Sequence, residues 1–66
     1  MEFSEIKIGD KLKIDAPYVF SEEGKEKVAI PEFDEIIVVD LDKDNELVVF
    51  THSPATYKVE PKYLKP

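Results

Sequence analysis

Carboxylates are plentiful in this 66-residue chain, but nothing in the sequence pairs them with a pocket, and the residues of nucleophilic and metal-assisted catalysis are scarce. His52, followed by Ser53, is the only histidine, and cysteine is absent. A histidine activates a serine only when an acidic group holds its ring in place, and one imidazole alone does not hold a transition metal. Gly9 and Gly24 are isolated, so the sequence has no glycine-rich loop for phosphates. We therefore expect no enzymatic activity, no metal site and no cofactor.

A second group of interest is the acidic run of residues 40–46, in which carboxylates occupy alternate positions. Alternate carboxylates are also found at the start of calcium-binding loops. Such a loop has glycine at its sixth position and glutamate at its twelfth, whereas this chain has Asn45 and Thr51 there. We therefore interpret the run as a solvated turn that keeps a β-hairpin soluble, and not as a calcium site.

The element that carries this run is a predicted β-hairpin. Its arms are residues 36–41 and 46–51, rich in β-branched and aliphatic side chains, and residues 42–45 form a polar four-residue loop. One face of the hairpin carries Ile36, Val38, Val48 and Phe50. The opposite face, called the outer hairpin face below, carries Ile37, Val39, Leu41, Leu47 and Val49. A hairpin with one solvent-exposed face would alternate apolar and polar residues, whereas both faces of this hairpin are apolar. We therefore expect both faces to be covered.

Two kinds of cover for the outer hairpin face remain open. Residues 1–8 form an N-terminal extension or an extra strand, and their apolar side chains Phe3, Ile6 and Ile8 are available to pack on this face. Alternatively, the face is a protein interface, either in a homodimer or with a larger partner, because exposed apolar patches of roughly a few hundred Å² mark such surfaces. We favour the intramolecular cover.

The length and composition narrow the class of protein. Sixty-six residues form a single domain close to the lower size limit for independent folding. No apolar run approaches the ~18 residues needed to span a bilayer, and the N-terminus lacks the pattern of a signal peptide. We therefore expect a cytoplasmic protein that does not bind membranes.

The net charge of −6 lies in one stretch of the sequence. Residues 32–46 contain seven acids and one lysine, and the remaining eight acids and eight lysines balance. A surface of this kind repels phosphate backbones, so we expect no direct binding to nucleic acid. All nine bases are lysine, which excludes bidentate guanidinium contacts with a partner.

The rest of the chain consists of short alternating segments separated by turns. We predict strands at residues 11–15 and 56–59, a short extended arm at residues 28–30, and one tight helical turn at residues 60–63. Five or six short strands with one long polar loop between the first and second predict an all-β fold, in the form of a small closed barrel.

From residue 11 to residue 65 the chain resembles the Src homology 3 family of small barrels. Residues 16–20 have the spacing of that family's Ala-Leu-Tyr-Asp-Tyr segment, and residues 34–39 are similar to its second strand. Residues 59–64 resemble its closing apolar-Pro-Ser-Asn-Tyr-Val segment, with the proline displaced by one position. The resemblance implies a five- to six-stranded Src homology 3-like barrel of a bacterial or phage type, with a short helical turn before the last strand.

The resemblance also implies a ligand surface between the first loop and the closing turn. Its residues in this chain are Tyr18, Phe20, Glu22, Glu23, Pro61 and Tyr63. Exposed tyrosines beside carboxylates suit a peptide with apolar and basic groups, although tyrosine rings also serve to complete a small core. The family's peptide site includes a tryptophan, and Leu47 stands at that position here. A groove for proline-rich peptides therefore lacks its principal wall.

These features predict a non-enzymatic protein-binding module or adaptor subunit that binds another protein or a peptide. Its binding surface is either the tyrosine surface or the outer hairpin face. An alternative is a small acidic inhibitor or nucleic-acid mimic, of the kind that phages encode, in which the carboxylates of residues 32–46 imitate a row of phosphates and occupy a basic groove.

Overall fold

The computed structural model describes residues 1–21, 26–29, 35–52 and 54–66. Within these ranges the protein is all-β, with two single-turn 3₁₀ helices, Phe3–Glu5 and Pro61–Tyr63, and no α-helix. The strands are β1 (Lys11–Ile14), β2 (Tyr18–Ser21), β3 (Lys27–Ala29), β4 (Glu35–Asp42), β5 (Leu47–His52), β6 (Ala55–Val59) and β7 (Leu64–Lys65). None of the helices in the described ranges is long and apolar enough to cross a bilayer.

The seven strands form one antiparallel sheet in the order β3-β2-β6-β5-β4-β1-β7. The sheet is open, because its two edge strands, β3 and β7, do not pair with each other in the described residues. The all-β prediction is confirmed, with seven strands instead of five or six. The predicted helical turn before the last strand is also confirmed, as the 3₁₀ helix Pro61–Tyr63 that leads directly into β7.

Strand β4 joins the two halves of the sheet and contains a β-bulge. Its first three residues pair with β1, and the rest of the strand pairs with β5. Val38 lies opposite Phe50, but Asp40 lies opposite Val49, so β4 has one residue more than its partner between these pairs. Such an insertion bends the strand and reverses the faces of the residues that follow it.

The bulge corrects the prediction for Leu41. Strict alternation assigns this residue to the outer hairpin face, but Leu41 lies opposite Val48 and packs against the core. Asp40 and Asp42 take the outer positions instead. One extra residue is enough to cause this exchange, because side chains alternate along a strand with a period of two.

A single hydrophobic core lies against the inner face of the sheet. The predicted inner residues Ile36, Val38, Val48 and Phe50 are all buried in it, which confirms that part of the hairpin prediction. Among the described residues, the buried members of this core are Ile6, Leu12, Ile14, Ala16, Val19, Ile36, Val38, Val48, Phe50, Val59 and Leu64. Because these residues come from six of the seven strands and from the N-terminal segment, both halves of the sheet contribute to one core.

The N-terminal segment contains no strand and is anchored at Met1, Ile6 and Gly9. The ammonium of Met1 donates hydrogen bonds to the carbonyls of Leu64 at 3.0 Å and Pro61 at 3.3 Å. The backbone N–H of Glu2 donates a hydrogen bond of 2.9 Å to Oε1 of Glu5, which closes the first 3₁₀ turn. Ile6 follows this turn and is buried in the core, with 3% of its surface exposed. The N–H of Gly9 then donates to the carbonyl of Val38 at 2.8 Å, which fixes the segment beside β4.

The N-terminal segment was predicted to cover the outer hairpin face, but it leaves Ile37 and Val39 exposed, and Phe3 shares a groove with Leu47 alone of the predicted interface residues in the described part of the chain. Ile6 packs into the core on the opposite side of the sheet, and Ile8 is 62% exposed. Ile37 and Val39 remain 56% and 43% exposed. The segment therefore leaves the central part of the outer hairpin face open.

Candidate protein-binding surfaces

Three of the predicted ligand residues form a connected aromatic surface, which consists of Tyr18, Phe20 and Tyr63. The ring centroids of Tyr18 and Phe20 are 5.5 Å apart with an interplanar angle of 82°. Those of Tyr18 and Tyr63 are 6.3 Å apart at 68°. Both pairs have the edge-to-face geometry that aromatic rings prefer, and all three side chains are half-buried. The prediction that Tyr18 and Tyr63 lie side by side is confirmed.

Two different elements position these rings. Tyr18 and Phe20 are two residues apart on β2, so their side chains point to the same side of the strand. Tyr63 ends the second 3₁₀ helix, and its carbonyl accepts a hydrogen bond of 3.0 Å from the N–H of Asp15. That bond ties the closing turn to the residues that lead into β2, and it brings Tyr63 next to Tyr18.

Two lysines lie over rings of the aromatic surface. The ammonium of Lys27 lies 4.6 Å from the ring centroid of Tyr18, and that of Lys62 lies 5.2 Å from the centroid of Tyr63. Both distances are within the range of cation–π attraction. The predicted acidic members of this site, Glu22 and Glu23, lie outside the described residues.

Pro61, the remaining predicted ligand residue, faces a different groove. This groove has a volume of about 370 Å³ and includes Met1, Phe3 and Leu47 in its lining. The carbonyl of Pro61 accepts a hydrogen bond of 3.3 Å from the ammonium of Met1. Pro61 therefore begins the turn that carries Tyr63, and it also contacts the N-terminal segment.

The outer hairpin face is divided into covered and open parts. Leu47 and Val49 are buried, whereas Ile37 and Val39 are exposed. Val49 lies opposite Lys58 of β6, and the side chain of Lys58 is itself only 20% exposed. The aliphatic part of this lysine covers the face next to Val49 while its ammonium reaches a carboxylate. The predicted interface thus retains two of its five residues as exposed apolar groups.

The carboxylate that Lys58 reaches is that of Asp42, the last residue of β4. Its oxygens accept hydrogen bonds from Nζ of Lys58 at 2.9 Å, from Nδ2 of Asn45 at 3.1 Å and from the N–H of Asn45 at 3.2 Å. The hydrogen bond from Lys58 is the main cause of a lowered pKa of Asp42, and those from Asn45 lower it further, to about 2. Asp42 therefore stays ionised in the folded protein at any physiological pH.

A shallow groove of about 700 Å³ lies beside this ion pair, on the outer side of β4, β5 and β6. Its apolar lining includes Val39 and Val49, and its polar lining includes Asp40, Asp44 and Thr56. Within the described parts of the chain, no group of three or more His, Cys, Asp or Glu side chains is arranged to hold a metal ion. His52 is exposed at the end of β5, and Ser53 lies outside the described residues.

Two contributors to these surfaces are not evident from the sequence. Lys58 joins Asp42 only because β5 lies between their strands and brings positions 16 residues apart together. Ile8 joins Ile37 and Val39 as an exposed aliphatic residue, and only the pairing of Gly9 with β4 places it there. The alternation of Lys58 with Tyr57 and Val59 on β6 is the one sequence signal that could have placed Lys58 on the outer side.

Comparisons of the chain with models of protein families, with curated proteins and with solved structures find no match. The geometry of the described surfaces is therefore the basis on which a function can be proposed.

Proposed function

We propose that this protein is a non-enzymatic protein-binding module that holds an extended, apolar peptide segment of a partner protein on the aromatic surface. The observation that carries the proposal is the continuous edge-to-face contact of Tyr18, Phe20 and Tyr63 at the surface. Tyrosine and phenylalanine supply a large contact area with few rotatable bonds, and tyrosine is enriched among the residues that dominate binding energy.

The alternative interpretation, that the rings only complete the core, accounts for part of this arrangement. Tyr63 packs against the core cluster, as does Tyr57 from β6. Tyr18 and Phe20 extend the aromatic contact from Tyr63 along β2, and each keeps part of its ring in solvent. Lys27 lies over Tyr18, the middle ring, and Lys62 lies over Tyr63 at one end. The ammonium of Lys62 is also 3.9 Å from a carboxylate oxygen of Glu60, so Lys27 is the cation better placed to bind a carboxylate of the bound segment.

We also propose that the open sheet curls into a Src homology 3-like barrel, which would make the aromatic surface one wall of its ligand side. Seven strands spaced ~4.8 Å apart would give a flat layer about 29 Å wide and a single strand thick. The molecule measures 25 × 25 × 20 Å, and one core receives side chains from both halves of the sheet. Both facts support a sheet that folds over its own core at the bend in β4.

Selection from a random peptide library displayed on phage tests the binding proposal. The unmodified chain is expected to enrich apolar peptides, and synthetic copies of these are expected to bind Tyr18→Ala and Tyr63→Ala at least ~10-fold more weakly, as for residues that dominate an interface. Ile37→Ser, on the outer hairpin face, is the control and should bind as well as the unmodified chain. Circular dichroism confirms that each variant is folded. Failure to enrich any peptide, or equal binding by the folded tyrosine variants, would refute the proposal.

A second candidate function is the acidic inhibitor that mimics nucleic acid. It is supported by the exposed carboxylates of Asp40, Asp44 and Glu46 at one end of the hairpin. Asp42 weakens the case, because its carboxylate is engaged by Lys58. Binding through a row of carboxylates should weaken steeply from low to moderate salt, whereas apolar binding on the aromatic surface should change little, so a salt titration of any captured partner distinguishes the two.

A further inference from the structure

We propose that the outer side of β4 is the interface between two copies of this chain, related by a two-fold axis. The interface is centred on an apolar stripe of three residues, Ile8, Ile37 and Val39. This surface is separate from the aromatic surface, so the proposal stands or falls independently of peptide binding.

The apolar stripe consists of the large hydrophobic side chains that are most exposed in the described residues, at 62%, 56% and 43% for Ile8, Ile37 and Val39. Ile37 and Val39 point outward from the same strand. Gly9 is hydrogen-bonded to Val38, which places Ile8 beside the same part of β4. Removing such side chains from water is favourable by roughly 25 cal/mol per Å² of apolar surface, so a cover for the stripe stabilises the molecule.

The side of the stripe toward β1 and β7 carries an excess of positive charge. Lys11 lies directly opposite Ile37, and Lys13 lies opposite both Glu35 of β4 and Lys65 of β7. These residues alternate with the buried Leu12 and Ile14 on β1, which directs the lysines outward. Glu35 is the acid of this group, and its carboxylate lies 3.9 Å from the ammonium of Lys11. This flank therefore contains three lysines and one glutamate.

The side of the stripe toward β5 and β6 carries the opposite charge. Asp40 and Asp42 occupy outer positions after the bulge, and Asp44 follows in the hairpin turn. These carboxylates share the groove of about 700 Å³ with Lys58, whose ammonium is bound to Asp42. This flank therefore contains three aspartates and one lysine. Its net charge is opposite in sign to that of the lysine flank.

This order of charges is self-complementary. A two-fold axis that lies in the plane of the interface and runs along the stripe sets the lysine flank of one copy against the aspartate flank of the other, and does so twice. A different partner would need an acidic and a basic flank in the matching order, whereas a second copy already has both. The stripe is short, so we expect the weak affinity that is typical of interfaces below about 1,200 Å².

Sedimentation equilibrium of the full chain, from low micromolar to millimolar concentration, measures the association directly. The weight-average mass should rise from 7.6 kDa toward twice that value. Two charge-reversed variants then test the arrangement. Lys11→Glu with Lys13→Glu makes both flanks acidic, and Asp40→Lys with Asp44→Lys makes both flanks basic. Each should be monomeric alone, and an equimolar mixture should associate, because unlike flanks then face each other.

Three further variants keep the test decisive. Asp40 accepts a hydrogen bond from the N–H of Leu41, so Asp44→Lys alone preserves this contact and leaves the flank with two aspartates and two lysines. This neutral flank should weaken the association of the variant with itself. Lys27→Glu with Lys62→Glu makes the same change in net charge on the aromatic surface and should associate as the unmodified chain does. Ile37→Ser should weaken association at least tenfold without unfolding the protein.

Each contrary outcome overturns the inference. If the unmodified chain stays monomeric throughout the concentration series, the stripe does not join two copies of this chain. A protein of different sequence would then be the partner that covers it. If the chain associates but the acidic and basic variants associate equally well on their own, another face forms the dimer. If the folded variants remain monomeric after mixing, the lysine and aspartate flanks do not face each other.

Discussion

At the scale of single residues, Asp42 shows how one carboxylate can hold two elements together. It ends β4, accepts a hydrogen bond from the N–H of Asn45 that closes the hairpin turn, and binds the ammonium of Lys58 on β6. Its side chain is only 13% exposed and that of Lys58 20% exposed. The pair is therefore less screened by solvent than an ion pair between two fully exposed side chains.

The lowered pKa of Asp42 makes the stability of the protein depend on pH in the acid range. The pKa is about 2 in the folded protein, compared with an ordinary value of 3.8. A folded-state pKa below the unfolded one means that the ionised carboxylate stabilises the fold fully above the ordinary value, and that this contribution is lost as the pH falls toward about 2. In Asp42→Asn this loss should be absent, so its unfolding free energy should fall less steeply than that of the unmodified chain over this range.

Urea unfolding followed by circular dichroism, at a series of pH values on both sides of this range, measures the difference. Asp44→Asn makes the same change in charge in the exposed part of the turn and should keep the steep acid dependence of the unmodified chain. If the unfolding free energies of Asp42→Asn and the unmodified chain fall equally steeply in the acid range, the hydrogen bonds from Lys58 and Asn45 do not lower the pKa of Asp42.

The sequence was informative about the turn and uninformative about the ion pair. Asp and Asn side chains hydrogen-bond to nearby backbone groups, so a turn at the acidic run follows from residue types alone. The hairpin loop begins one residue later than predicted, at Lys43, because Asp42 still pairs with Leu47. The link to Lys58 depends on the pairing of β5 with β6, and no local pattern reveals a contact across 16 residues.

At the scale of elements, the bulge in β4 decides which side chains form the outer hairpin face. It makes Leu41 a core residue although Val39, two positions earlier, is exposed. Leu41→Ala should therefore lower the free energy of unfolding by about 1–2 kcal/mol, less than for a fully buried leucine. Val39→Ala should change it by no more than about 0.5 kcal/mol, as for an ordinary surface residue. Without the bulge both residues would share a face, and the two variants would lose stability equally.

Urea unfolding of the two variants under identical conditions gives the comparison. Ile37→Ala is a further control, since Ile37 precedes the bulge and is exposed. An equal loss for Val39→Ala and Leu41→Ala would mean that β4 runs without a bulge. The measurement belongs at low micromolar protein concentration, where association through the apolar stripe does not add to the stability.

The sequence contains one sign of the bulge, which strict alternation does not take into account. Residues 36–39 are compatible with either register, but Asp40 interrupts the aliphatic run at a position that strict alternation would direct into the core. The register is set by two partners, since β1 fixes the first half of β4 and β5 fixes the second. The inner face before the bulge followed the simple alternation, and only the residues after it were assigned to the wrong side.

At the scale of the whole molecule, the all-β class and the closing turn were predictable because local patterns determine them. Alternating apolar residues predicted most of the strands, and proline at the first position of the turn favours the 3₁₀ helix before β7. The N-terminal segment was not predictable. Ile6 and Ile8 have the spacing of a strand, but the preceding 3₁₀ turn places one in the core and leaves the other in solvent.

This difference between two isoleucines tests how the N-terminal segment contributes to the fold. Ile6 is a member of the core cluster, so Ile6→Ala should cost about 2–5 kcal/mol, as for other buried large-to-small substitutions. A small domain has ~5–15 kcal/mol of stability in total, so this one change should lower its urea midpoint markedly. Ile8→Ala removes the same atoms from an exposed position and should leave the midpoint nearly unchanged in dilute solution. Equal midpoints for the two variants would show that the segment is not part of the core, and that the domain folds from residue 11 onward.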